Sequence, residues 1–66
     1  MTPDEIEREP ESFAEGMALA IEGVPFFEAL ARWSDAWHAQ YGHVYVGAGF
    51  TAGWAQGHDV VVAVTS

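Results

Sequence analysis

The chain has 66 residues with ten carboxylates, two arginines, no lysine and no cysteine, giving a formal net charge of −8. That length supports a single domain, 1–66, and the lack of cysteine excludes disulfides and thiolate metal sites. The charge disfavours direct contact with nucleic acid or anionic lipid, because both carry the same sign.

Three prolines organise the first 42 residues, proline being favoured where a helix begins. Pro3 follows Thr2, and Glu5 stands three residues after that threonine, the spacing of a capping box. The spacing predicts a short first helix over 3–9. Pro10 opens a second over 11–22, with Ser12 and Glu15 as an alternative capping box and Phe13, Met17, Ala20 and Ile21 as its apolar face. Pro10 also biases Glu9 away from helical geometry, so a break is expected between the two.

Pro25 opens a third helix over 25–41. Phe26, Leu30, Trp33, Trp37 and Tyr41 share one face of it, while Glu28, Arg32 and Asp35 share the other. Gly23 and Gly42 fall where glycine closes the second and third helices.

Beyond Gly42 the apolar residues alternate: Val44, Val46, Ala48, Phe50, Ala52 and Trp54. Period two predicts a strand over 43–54, weakened by its glycines. A turn at Ala55-Gln56-Gly57-His58 leads to a valine-rich strand over 59–65. Pairing Trp54 with Val60 aligns Phe50 with Val64. The predicted class is therefore α+β: two or three N-terminal helices packed on a C-terminal antiparallel β-hairpin, which needs the helices as cover. Unpaired strand edges leave room for a partner or for a small homo-oligomer as well as a monomer.

No residue pattern declares a chemistry. His38, His43 and His58 match no metal-ligand spacing, and His38 suits a helix C-terminus. Ser12, Ser34 and Ser66 lack a nucleophile context. Gly47-Ala48-Gly49 has neither a following helix nor a basic companion to serve as a phosphate loop. The reading is a protein that is not an enzyme and has no cofactor and no metal. The acidic N-terminus offers no positive signal-peptide region and no apolar run reaches membrane-spanning length, so a cytoplasmic location is expected.

The acids remain. Asp4, Glu5, Glu7, Glu9, Glu11, Glu15, Glu22 and Glu28 all precede residue 29. Helix-start electrostatics account for Asp4, Glu5, Glu11 and Glu28, which leaves Glu7, Glu9, Glu15 and Glu22 in surplus. If the first two helices run in line, Asp4, Glu7, Glu11, Glu15 and Glu22 form one stripe. Ile6, Phe13, Met17 and Ile21 then pack inward. Such a stripe suits a basic groove built for nucleic acid.

In size, charge and the acidic segment 4–28 the chain resembles the phage-encoded anti-restriction and anti-CRISPR proteins, many of which imitate nucleic acid. The resemblance leans towards inhibitors of type I CRISPR effectors, type I-C in particular. It rests on no shared motif, so it transfers no individual residue. It implies an inhibitor that binds effector subunits where they would grip target DNA. The alternative is an antitoxin-like or accessory interaction module docking through its aromatic face or a strand edge.

Overall fold

The computed structural model describes residues 3–65, apart from the side chains of Asp4 and Glu5. Three helices follow one another: α1 (Pro3–Ile21), α2 (Phe26–Tyr41) and α3 (Gly49–Thr65). Among the described residues there is no strand. The expected α+β class, with strands over 43–54 and 59–65, is therefore replaced by an all-helical fold. The expected turn at 55–58 lies inside α3. The Thr2–Glu5 capping box falls outside the described residues.

The first correction concerns Pro10. It stands within α1 without ending it, so the segments expected at 3–9 and 11–22 form one helix of 19 residues. A proline in a helix interior costs about 3 kcal/mol or more, through a lost hydrogen bond and a ring clash. Burial of α1 against α3 on the C-terminal side of Pro10 outweighs that cost. Ser12, Gly16, Leu19 and Ala20 are the buried positions, and Ser12 directs its hydroxyl back to the Arg8 carbonyl at 3.2 Å. Ile6 and Ile21, expected to face inward, are 62% and 53% exposed.

The second correction concerns the C-terminal third. Positions 46, 50 and 54 satisfy helical spacing and period two alike, so alternation could not separate the two forms. The deciding set is Gly49, Gly53 and Gly57, four apart and on one helical face. Small residues at that spacing let two helix backbones approach closely. A Cβ on Gly53 would run into the Phe13 carbonyl, one on Gly57 would lie 2.5 Å from the Met17 carbonyl oxygen, and one on Gly16 would strike the Phe50 carbonyl. These pairs advance together along both helices, so α1 and α3 lie parallel. The proposed register is void as well: Phe50 is fully buried whereas Val64, in the same helix, is 79% exposed. Strand propensity in the valine run yields to this tertiary contact.

Between them, α2 runs the opposite way and turns its aromatic face to the pair. Phe26 meets Trp54 edge-on at 5.4 Å, Trp33 stacks on Phe50 at 5.7 Å, and Trp37 meets Tyr45 edge-on at 5.0 Å. Gly23 (φ 89°) and Gly42 (φ 77°) adopt the left-handed conformation that closes α1 and α2. At the first turn Val24 N–H donates to the Leu19 carbonyl and Gly23 N–H to the Ala20 carbonyl, both at 3.0 Å. Trp54 Nε1 donates to the Val24 carbonyl at 3.0 Å, anchoring this turn to α3.

Candidate partner-binding face

Because α1 is unbroken, Glu7, Glu11, Glu15 and Glu22 fall within about 80° of arc at 100° per residue. All four are exposed. Glu22 follows the last helical residue and keeps the helical bond, its N–H donating to the Ala18 carbonyl at 3.0 Å. From Glu7 to Glu22 the stripe rises about 22 Å at 1.5 Å per residue. Glu5 and Asp4 belong to the same helix, with side chains outside the description.

Both arginines are engaged by acids. Arg8 lies 3.0 Å from Glu11, and Glu11 first, with Tyr41 after it, pushes its pKa above the ordinary arginine range. Arg32 lies 3.7 Å from Glu28 on α2, both half exposed, so Glu28 belongs to a local pair on a different helix from the stripe. Exposed pairs of this kind contribute little to stability. Their larger effect is to leave the α1 stripe without a free positive neighbour among the described residues.

Glu9 takes a different place. It is half-buried and points towards the start of α3. Its Oε1 accepts the Tyr45 hydroxyl hydrogen at 3.0 Å, and its carboxylate lies so close to Gly47 and Gly49 that a Cβ there would stand 2.6 and 2.5 Å from its oxygens. The Tyr45 oxygen in turn accepts the Phe50 N–H at 3.2 Å. The first N–H groups of a helix lack intrahelical partners and carry partial positive charge. Tyr45 and Glu9 together answer both at α3. Burial, as the leading cause, raises the Tyr45 pKa above its ordinary 10.0. This cluster was not legible beforehand, because α3 was expected to be a strand and a strand has no such terminus.

His58, expected in a turn, is in α3 and stacks on Trp54 with centroids 4.9 Å apart. His43 Nδ1 lies 3.2 Å from the Val44 carbonyl oxygen, and His38 is in the last turn of α2. An open groove of about 400 Å³ between α1 and α2 brings Glu15 and Arg32 over Leu19, Trp33 and Ala36. A second, of about 400 Å³, lies at the opposite end of the α1–α3 pair from Tyr45, beside the α1–α2 turn. Among the described residues no helix is long and apolar enough to cross a membrane. The chain matches no protein-family model, no curated protein and no solved structure.

Proposed function

We propose that this chain is a non-enzymatic inhibitor whose α1 carboxylates occupy a basic nucleic-acid-binding surface of a protein complex and so block target recognition. The observation that carries the reading is the continuity of α1 through Pro10, which gives Glu7, Glu11, Glu15 and Glu22 one direction. Successive carboxylates at four-residue steps rise about 6 Å apart. A row of negative groups on a rigid rod is what a lysine- and arginine-rich groove is shaped to receive, and it speeds encounter through long-range attraction. The resemblance to anti-CRISPR proteins makes a type I CRISPR effector in the cytoplasm the complex of choice, with target DNA as the excluded ligand. The chain itself does not touch nucleic acid in this reading.

The test is capture of a type I effector complex by the immobilised chain at increasing salt. Capture should weaken steeply with salt. It should fall at least tenfold when Glu7, Glu11 and Glu15 are together changed to lysine, with the circular dichroism spectrum retained. Unchanged capture by that triple variant would sink the mechanism.

A second reading, the antitoxin-like or accessory module, loses the expected aromatic face as its dock, since α2 turns Phe26 and Trp33 onto Trp54 and Phe50, and is left with the separate Phe27, which is 82% exposed. It predicts binding that tolerates salt and is lost on Phe27→Ser. Docking through a strand edge is no longer part of it, since the segment in question is helical.

A further inference from the structure

The acids of the α1 stripe differ in what stands beside them. Glu11 is paired with Arg8, whereas among the described residues Glu15 has neither an ion pair nor a hydrogen bond. At 100° per residue Glu15 lies about 40° from Leu19, one turn further along, which makes it the stripe acid nearest the buried side of the helix. There it forms the α1 wall of the open groove between α1 and α2, opposite Arg32 and above Leu19, Trp33 and Ala36. Ala36, exposed and one turn after Arg32, has only a methyl group with which to fill that space. Trp33 is half-buried with its Nε1 wholly covered, so what it shows the groove is ring carbon and not a hydrogen-bond donor.

We infer that this groove receives an arginine side chain of the basic partner. The arginine stem lies on Leu19 and Ala36, while its guanidinium rests against Trp33 and donates to the Glu15 carboxylate. The inference rests on the inhibitor reading and names the point at which that surface grips.

Charge complementarity selects this occupant. An anion would meet Glu15 on a chain of net charge −8. A wholly apolar side chain would cover the Glu15 carboxylate without answering it, and an unpaired charge is costly to bury. Arg32 is already engaged by Glu28, one turn earlier on the same side of α2, at 3.7 Å, so Glu15 is the charge left over. What fits is an apolar stem with a cationic head. Arginine suits it better than lysine, because a planar guanidinium stacks on an aromatic ring and offers two parallel donors to one carboxylate. An ammonium is a strongly hydrated point charge instead. Glu15 also stands midway along the stripe from Glu7 to Glu22, and the strongest contacts of an interface gather near its centre, around arginine or aromatic anchors seated in pockets.

The test titrates the full chain with acetylated, amidated hexa-arginine and hexa-lysine peptides at physiological salt, followed by tryptophan fluorescence and amide chemical shifts. Hexa-arginine should bind several-fold more tightly than hexa-lysine and shift the signals of Leu19, Trp33 and Ala36. Ala36→Leu fills the groove from an exposed position without changing any charge. It should weaken arginine binding about tenfold and remove the preference for arginine, with the melting curve retained. Glu15→Gln should do the same, whereas Glu7→Gln, outside the groove, should cost no more than about twofold. Equal affinity for the two peptides would overturn the inference, as would arginine binding indifferent to Ala36→Leu. Sedimentation showing a dimer that Ala36→Leu dissociates would overturn it in favour of a second copy in the groove. Capture of the effector complex separates this inference from the reading beneath it. Capture lost in the triple lysine variant of Glu7, Glu11 and Glu15 but full with Ala36→Leu removes the groove and leaves the stripe, whereas capture indifferent to both removes the two together.

Discussion

Gly53→Ala is the sharpest perturbation of this fold, because two principles give it opposite signs. In an exposed helix the change is favourable by about 1 kcal/mol, since alanine has the best helix propensity and glycine nearly the worst. At this position the new methyl would overlap the Phe13 carbonyl oxygen and stand 2.7 and 2.8 Å from the Phe13 carbonyl carbon and Cα. Those atoms are backbone and cannot rotate away, so α1 and α3 must separate by roughly 1 Å. A gap of that size forfeits a quarter to a half of each dispersion contact along the seam. Overpacking of a core costs about 1–3 kcal/mol, and rigid backbone on both sides puts this case at the upper end. After the propensity gain, a net loss of about 2 kcal/mol remains. A chain of this size has only about 3–10 kcal/mol in all, and each kcal/mol moves the midpoint by about 4–8 °C. Thermal melts followed by far-UV circular dichroism should therefore fall by about 10 °C. Ala52→Gly on the exposed side of α3 serves as the control and should lose about 1 kcal/mol through propensity alone. A Gly53→Ala protein that melts at or above the wild-type temperature would refute the close α1–α3 approach.

The same reasoning reaches the start of α3. Tyr45→Phe removes the acceptor of the Phe50 N–H and the donor to Glu9, leaving buried groups unsatisfied at a cost of about 1–3 kcal/mol, measurable by denaturant titration. Because burial raises the folded-state pKa of Tyr45, its contribution is complete below the unfolded value of about 10 and is lost as pH rises through the folded one. The wild-type denaturation midpoint should fall in that alkaline window, with a shallower fall in Tyr45→Phe. Glu9→Lys should lower stability by about 1–2 kcal/mol, since it breaks the Tyr45 hydrogen bond and sets a cation against the helix dipole. Glu7→Lys on the open face should stay within about 0.5 kcal/mol. Equal melting shifts for the two variants would remove the distinction between a structural and a surface carboxylate.

Much of α2 was legible in the chain, and the reason is local. Pro25 and Gly42 bound it, and its aromatic face has only one helical interpretation. The surplus of acids before residue 29 was equally plain, because composition does not depend on folding. Sequence alone therefore determined a small, strongly negative chain with one amphipathic aromatic helix and no recognisable chemical motif. Tertiary structure decided the rest. Pro10 resists helix and the valines of 60–64 prefer strand, yet both are helical because α1 and α3 close on each other through Gly16, Gly53 and Gly57. That contact joins residues about forty positions apart, beyond the reach of any local periodicity. It also sorts the surplus acids by direction: Glu9 turns inward to the start of α3, while Glu7, Glu15 and Glu22 remain on an unbroken outer face. Their shared direction follows from the packing of α1, whereas their charge was present in the sequence from the start.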